Sequence, residues 1–250
     1  MALQTEFKVQ GDFLFKNRSY LPLLFLAAGF GVYLYGIYFE PRQVEKVPEG
    51  YYQFTCLMLS LLGLLIRVTT IGYTPRNTSG RNTKNGQIAD ELNTTGMYSL
   101  LRHPLYLGNF FMWFGIAMLT GNIWFTVAFV LLYWLYYERI MYAEESYLIK
   151  KFGTDYLRWS AITPAFIPNF KNYRKAKYPF CPKKVLKKEK NGFAAIFIVF
   201  WFFEWIGGMV EKQKITVEFN FWFYAAIASC FIYLILKIMK KGSMLTETNV

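Results

Sequence analysis

Residues 102–108 have the sequence Arg-His-Pro-Leu-Tyr-Leu-Gly and stand between a polar, glycine-rich loop and an aromatic hydrophobic segment. The stretch contains His103, the only histidine of the chain. A proline ahead of an apolar run suits the first turn of a helix, where its missing N–H leaves no hydrogen bond unmade. The stretch therefore predicts a helix that starts at Pro104 and enters an apolar environment, with Arg102 and His103 at its N-terminal end.

The apolar residues of this chain come in long blocks. Hydrophobic residues make up 54% of the chain and charged residues 18%, which is below the roughly 25% of a soluble globular domain. About 20 apolar residues are enough for a helix to cross a bilayer. The blocks that approach this length lie at residues 20–39, 51–73, 105–121, 123–142, 193–210 and 221–239.

The block at residues 105–121 is the shortest, and a turn joins it to the next block. Thr120, Gly121 and Asn122 form this turn signal, because such residues favour tight turns. The pair predicts a helical hairpin that stops short of the far leaflet. We therefore predict an all-α, polytopic membrane bundle of about six transmembrane helices, one of which belongs to the short hairpin.

These blocks and the polar segments between them divide the chain into five parts. We expect an interfacial segment at 1–19, a first transmembrane hairpin at 20–73, a core with the polar motifs at 74–168, a basic cytoplasmic loop at 169–192, and a C-terminal hairpin with its tail at 193–250. The charge run at residues 183–190 is expected to be solvated or to face lipid headgroups.

Lys and Arg residues concentrate in the segments that share a side with the N-terminus. The opposite loops carry only Arg42, Lys46, Lys212 and Lys214. Because cytoplasmic loops are rich in Lys and Arg, we expect both termini and both polar motifs on the cytoplasmic side of a bacterial inner membrane.

The net charge of +12 raises the question of a nucleic-acid partner. The basic residues cluster at 171–190, beside a predicted span, where they would be attracted to anionic lipid headgroups. We therefore expect lipid headgroups as partners and no nucleic acid.

The cysteines show neither a CxxC motif nor metal-ligand spacing, so no metal site is predicted. The oligomeric state stays open.

A second polar cluster, Arg139 followed by Glu144 and Glu145, comes after the predicted hairpin. Carboxylates at a membrane boundary cost free energy unless they are solvated or paired. They could bind a ligand ammonium or ribose hydroxyls, or they could form a charged helix end in water. The role of residues 102–108 is equally open, since arginine, histidine and tyrosine also serve as anchors at membrane borders.

Two charged residues, Arg67 and Glu204, lie within predicted spans. Intramembrane charges are functional candidates by default, and we take Arg67 as a candidate substrate-binding residue. The alternative is structural: Arg67 and Glu204 could pair with each other, or Arg67 could extend to the interface.

Together the two motifs resemble the isoprenylcysteine carboxyl methyltransferase superfamily, which is related to the membrane phospholipid methyltransferases. The resemblance covers residues 67–168. It rests on Gly96-x-Tyr98, on Arg102-His103-Pro104-x-Tyr106-x-Gly108, and on Glu144-Glu145-x-x-Leu148-x-x-x-Phe152-Gly153-x-x-Tyr156 with Pro164 beyond.

The resemblance implies S-adenosyl-L-methionine as cofactor and a lipophilic acceptor that enters from the bilayer. The residues that it implies for the cofactor are Tyr98, His103, Pro104, Leu105, Tyr106, Gly108, which would allow close approach, and Glu144 or Glu145. It makes Arg139 the nearest candidate for the family's substrate arginine. Asp90–Asn93 would correspond to a loop that contacts the cofactor.

The chemical class of the methyl acceptor decides which residues take part in the transfer. An arginine can hold an anionic oxygen in a bidentate clamp, and no base is then needed. An amine acceptor must lose a proton, and Glu145 would be the candidate base. Arg139 and Glu145 are therefore the candidate catalytic residues, and Arg102, Arg67 and Arg81 the candidate substrate-binding residues.

Positive charge around the expected site favours an anionic acceptor. It comes from Arg76, Arg81, Lys84, Arg102 and Arg139. The superfamily includes enzymes that methylate a phosphate of lipid A, so we expect O-methylation of a lipid phosphate or carboxylate. The alternatives are an N-methyltransferase of phosphatidylethanolamine type and a non-enzymatic membrane transporter or scaffold.

Overall fold

The computed structural model describes residues 2–18, 20–39, 49–75, 78, 81–83 and 86–245. Its elements are α1 (Leu3–Asn17), α2 (Leu21–Phe39), α3 (Glu49–Gly72), β1 (Arg81–Thr83), β2 (Gly86–Ile88), α4 (Met97–Leu100), α5 (Pro104–Met118), α6 (Ile123–Phe152), α7 (Thr154–Ile162), a 3-10 turn (Phe170–Asn172), α8 (Pro182–Lys212) and α9 (Phe221–Lys241). The predicted helical bundle is confirmed. One short antiparallel ladder, with Arg81 opposite Ile88, adds to it.

Within the described ranges, α2, α3, α6, α8 and α9 are long and apolar enough to cross a membrane. Helix α5 is also apolar but has only 15 residues, fewer than the roughly 20 that a bilayer needs. It begins at Pro104, as predicted, and Gly121, at φ +66°, lies in the turn that joins it to α6. The predicted short helix and its turn are therefore confirmed, whereas α6 has 30 residues and is itself long enough to cross.

Helices α3 and α5 pack closely because small residues line their interface. A Cβ atom added at Gly63 would lie 2.4 Å from the Gly108 carbonyl oxygen, and one added at Gly115 would lie 2.3 Å from the Cys56 carbonyl oxygen. Ser60 also donates a hydrogen bond to the Met112 carbonyl at 3.0 Å. Small residues let membrane helices approach until their backbones touch, and here they fix α5 against α3.

We expect Gly63→Ala to destabilise the protein by about 1–3 kcal/mol, because the new methyl group forces α3 and α5 apart. Gly31 is the matched control: it is exposed on α2, and a Cβ added there meets nothing within 4 Å. Gly31→Ala should be neutral or slightly stabilising, since alanine favours helix. Unfolding midpoints in detergent measure both, and equal midpoints for the two variants would contradict the packing described.

The N-terminal segment forms helix α1, which packs along α6. Gly11 lies against the α6 backbone, where an added Cβ would be 2.2 Å from the Arg139 carbonyl oxygen. Phe15 is buried in the same interface, and the Tyr136 hydroxyl donates to the Leu14 carbonyl at 3.4 Å. This packing brings Arg18, just beyond the end of α1, towards the first turns of α5.

Helix α8 begins at Pro182, well before the predicted start of that span at residue 193. The charge run 183–190, expected to be solvated or to face headgroups, is helical and partly buried. Lys184 is 2% exposed, and its ammonium donates to the Thr74 carbonyl and, at 2.9 Å, to the Pro75 carbonyl. The expectation was wrong for Lys184, Glu189 and Lys190, which are buried. The segment after α3 offers carbonyl partners to Lys184, and Arg67 of α3 offers a charged partner to Glu189.

Candidate functional site

A cavity of about 340 Å³ lies where α3, α5, α6, α7 and α8 meet the loop after β2. Its volume falls within the range of small-molecule sites, roughly 300–1,000 Å³. The residues that line it are Arg18, Arg67, Ile71, Thr78, Ile88, Ala89, Glu91, Leu92, Asn93, Tyr98, Arg102, His103, Leu105, Tyr106, Asn109, Glu144, Tyr147, Leu148, Trp159, Lys188 and Glu189.

Backbone hydrogen bonds hold the motif at the start of α5 in place. The Arg102 amide donates to the Pro164 carbonyl at 2.8 Å, and the His103 amide donates to the Ala165 carbonyl at 3.2 Å. His103 is the N-cap residue of α5, with Pro104 in the first turn. The segment around Pro164 therefore fixes the direction in which Arg102 and His103 project.

His103 lies between the two glutamates of the second motif. Its Nε2 is 2.8 Å from Glu145 Oε1, and its Nδ1 is 3.6 Å from Glu144 Oε2. Burial would lower the pKa of His103, but hydrogen bonds and the negative charges of Glu144 and Glu145 outweigh it, so the pKa lies above its ordinary value. The imidazolium form is thereby stabilised between two carboxylates.

The two glutamates have different surroundings. Glu145 accepts from Arg102 Nε at 2.8 Å as well as facing His103, and it does not line the cavity. Glu144 lines the cavity and accepts from the Tyr106 hydroxyl at 2.7 Å. Glu144 is therefore the carboxylate that faces the cavity, and Glu145 is the one that holds Arg102 and His103.

Aromatic rings form the wall beside Glu144. Tyr106 stacks on His103 with an interplanar angle of 14° and ring centroids 5.5 Å apart. Tyr98, Tyr147 and Trp159 line the same space. Trp159 is buried, and its indole N–H has no hydrogen-bond partner among the described residues. A buried donor without a partner costs free energy, so a ligand acceptor at this position would stabilise it.

Arg67 also lines the cavity. Its Nε and Nη2 donate to the two carboxylate oxygens of Glu189 at 2.8 and 2.6 Å, and its Nη1 donates to Asn109 at 2.6 Å. The alternative that Arg67 pairs with Glu204 is wrong, because Glu204 instead accepts from Gln53 at 2.6 Å in another part of the bundle. Helix α8 thus supplies the acidic partner from residues that the sequence motifs do not include.

Arg139 does not line the cavity. Its guanidinium lies 3.8 Å from the centroid of the Phe7 ring, and its Nε donates to Gln10 at 3.3 Å. Its Nη1 also donates to Glu138 at 2.7 Å. Arg139 therefore does not occupy the catalytic position that was predicted for it, because α1 covers the face of α6 that carries it.

The remaining predicted residues divide between the cavity and its surroundings. Those that line the cavity are Tyr98, Arg102, His103, Leu105, Tyr106, Glu144 and Arg67, together with Glu91, Leu92 and Asn93 of the predicted loop. Pro104 and Gly108 do not line it, and Gly108 admits α3 and the Arg67 side chain. The side chain of Arg81, and Arg76 and Lys84 as a whole, lie outside the described residues.

Sequence reasoning missed Arg18, Asn109, Tyr147, Lys188 and Glu189 as lining residues. One signal was available, since Glu189 is the only acidic residue within the basic run 183–190. An isolated acid among lysines at a membrane boundary indicates a partner. The others carry no such mark, because Arg18 and Lys188 reach the cavity only when α1 and α8 pack against the core, and Asn109 and Tyr147 only when α5 and α6 pack together.

Comparisons with known proteins agree with the motifs. Residues 51–155 match the family model described as phospholipid methyltransferase. The chain is 40% identical over 76 residues, 30% of its length and 32% of the relative's, to protein-S-isoprenylcysteine O-methyltransferase of Schizosaccharomyces pombe. It is 32% identical over 114 residues, 45% of its length and 57% of the relative's, to protein-S-isoprenylcysteine O-methyltransferase B of Arabidopsis thaliana.

A relative with a different name matches over a similar length. The chain is 32% identical over 120 residues, 47% of its length and 52% of the relative's, to cobalt-zinc-cadmium resistance protein CzcN of Cupriavidus metallidurans. The chain thus spans between about a third and three fifths of the length of these curated relatives. No solved structure matches.

Proposed function

We propose a function from the premise that residues 51–155 belong to the isoprenylcysteine and phospholipid methyltransferase superfamily. The protein is an integral membrane methyltransferase that uses S-adenosyl-L-methionine. It transfers the methyl group to an anionic oxygen, a phosphate or a carboxylate, of a membrane lipid or lipidated acceptor. The observation that carries the proposal is the cavity between the two motifs, which Glu144 and the rings of Tyr98 and Tyr106 face.

The lining residues fit the methyl donor. Glu144 offers a carboxylate for the ammonium group of its methionine part, and the indole N–H of Trp159, which has no partner in the described part of the chain, offers a hydrogen-bond donor. The faces of Tyr98 and Tyr106 suit a sulfonium, because aromatic rings attract cations. When bound, S-adenosyl-L-methionine supplies an electrophilic methyl group, and the protein contributes alignment.

An anionic acceptor makes the chemistry simple for this chain. The acceptor oxygen provides the electron pair of the new O–C bond, and the electrons of the breaking S–C bond stay on sulfur, which becomes a neutral thioether. No proton leaves, so no base is required. Glu145 suits a positioning role better than a base, because Arg102 and His103 already hold its carboxylate.

Arg102 is the proposed residue that orients the acceptor's anionic group. Its guanidinium lines the cavity, and Glu145, the Ser160 carbonyl and the Thr163 carbonyl hold it at 2.8, 2.9 and 3.1 Å. A guanidinium fixed in this way is pre-organised for an oxyanion. We place the cavity on the cytoplasmic side, since the Lys- and Arg-rich segment 169–192 lies beside it.

Methyl transfer into membrane lipids tests the proposal. Purified protein receives methyl-labelled S-adenosyl-L-methionine and extracted membrane lipids, and mass spectrometry identifies the labelled products. We expect label in a methyl ester of a lipid phosphate or carboxylate. Label found solely in N-methylated ethanolamine lipids would overturn the anionic acceptor. A protein that neither transfers label nor binds S-adenosylhomocysteine in calorimetry is not the proposed enzyme.

A further inference from the structure

We infer that helix α8 selects the methyl acceptor: Lys188 binds its anionic group at the mouth of the cavity, and the Glu189–Arg67 ion pair holds the helix there. Helix α8 starts at Pro182, beyond the segment 51–155 that matches the family. The inference rests on the proposed function, because it assigns residues of the same cavity to the acceptor.

Two sets of hydrogen-bonded polar side chains line the cavity. His103, Tyr106 and Glu144 form one set, and Arg67, Asn109 and Glu189 form the other. Tyr98 lies within electrostatic reach of both sets: burial and the charge of Glu144 raise the pKa of its phenol, and the charge of Arg67 opposes them. The set that contains Glu144 fits the donor, and Glu189 compensates the charge of Arg67 in the other set, so we assign the cations Arg102 and Lys188 to the acceptor's anionic group.

Helix α8 is fixed beside the cavity by an ion pair whose carboxylate is buried. Glu189 is 5% exposed, and both of its carboxylate oxygens accept from Arg67, whose side chain is 20% exposed. A bidentate arginine–carboxylate pair sets orientation as well as distance. The residue before Glu189, Lys188, both lines the cavity and is exposed, so it stands between the cavity and its surroundings.

The position of Lys188 along α8 matches the depth of a lipid headgroup. About one turn after Lys188, at Phe193, the apolar stretch of this candidate span begins. A lysine at this boundary attracts anionic headgroups. It would repel the ammonium of an ethanolamine headgroup, so the same residue favours oxyanion acceptors and disfavours amines.

Charge reversal at Lys188 tests the inference. We expect Lys188→Glu to raise the KM for an anionic acceptor about tenfold or more, since like charges brought together cost several kcal/mol. The kcat should change little, and affinity for S-adenosylhomocysteine should stay within about twofold, because the charge of Lys188 acts on the acceptor while Glu144 is assigned to the donor. Lys188→Arg should keep the KM near that of the unmodified protein.

Lys183→Glu is the matched control, since Lys183 is an exposed lysine on the first turn of α8 that does not line the cavity. The KM of the Lys183→Glu variant for the acceptor should equal that of the unmodified protein. Vesicles with phosphatidic acid and micelles of a prenylcysteine serve as phosphate and carboxylate probes, and the probe whose KM responds to Lys188→Glu identifies the acceptor group.

Equal KM values for Lys188→Glu and Lys183→Glu, with donor binding intact, would overturn the role of α8 and leave the proposed function standing. An amine lipid that is methylated faster by Lys188→Glu than by the unmodified protein would support charge selection at this position. If the unmodified protein does not bind S-adenosylhomocysteine, the proposed function itself is overturned.

Discussion

Replacement of Glu144 by glutamine is expected to weaken binding of S-adenosylhomocysteine by roughly 30-fold or more, since loss of one partner of a buried, hydrogen-bonded charge pair costs about 2–5 kcal/mol. Glu144 is the motif carboxylate that faces the cavity, and Tyr106 and His103 orient it. Glutamine keeps the volume of the side chain but removes the negative charge that an ammonium requires. The change therefore separates a ligand contact from a packing role.

Calorimetry on purified protein in detergent measures this affinity. Glu138→Gln is the matched control, because Glu138 lies on the same helix, pairs with Arg139 and does not line the cavity. We expect the control to bind as the unmodified protein does. If Glu144→Gln binds as tightly as Glu138→Gln does, Glu144 does not hold the donor, and the assignment of the lining residues to donor and acceptor fails.

Removal of Glu189 should have the largest effect on stability. Glu189→Ala leaves the partly buried guanidinium of Arg67 without its carboxylate. Breaking a fully buried ion pair costs about 3–5 kcal/mol, which is the upper value here because the Arg67 side chain is 20% exposed. Arg67 retains Asn109 as a partner at 2.6 Å, but an amide does not balance its charge. We expect a large fall in the free energy of unfolding, measured by denaturant titration in detergent.

A double substitution tests whether the ion pair is the cause. Arg67→Met combined with Glu189→Met removes both charges and keeps apolar bulk, and buried pairs replaced in this way often lose little stability or gain some. The double variant should therefore be clearly more stable than Glu189→Ala. A double variant as unstable as that single one would show that α8 is held by packing and not by this pair.

Much of the bundle follows from local sequence. Long apolar blocks predict the spanning helices, and Pro104 predicts the start of α5, because helix entry and membrane partition depend on a residue and its near neighbours. The turn after the short block was predictable for the same reason. The motif residues Tyr98, His103, Tyr106 and Glu144 were recognisable by their spacing, and all of them line one cavity.

The roles within the site were less predictable. Glu144 and Glu145 are adjacent in sequence, and only the packing of α6 against α5 shows which carboxylate faces the cavity and which holds Arg102 and His103. Arg139 is near the motif in sequence, but α1 packs over the face that carries it. Neighbours in sequence point in different directions on a helix, so spacing alone does not separate them.

The sequence by itself determined that this is a helical membrane protein with one short apolar helix and a motif pair that resembles one superfamily, because those properties reside in runs of adjacent residues. Only the tertiary structure decided that Arg67 pairs with Glu189 and that Arg18 and Lys188 line the cavity. These contacts join helices that are far apart along the chain. The physical reason is that helix packing, through close contacts such as Gly63 on Gly108, selects the partners of each charge.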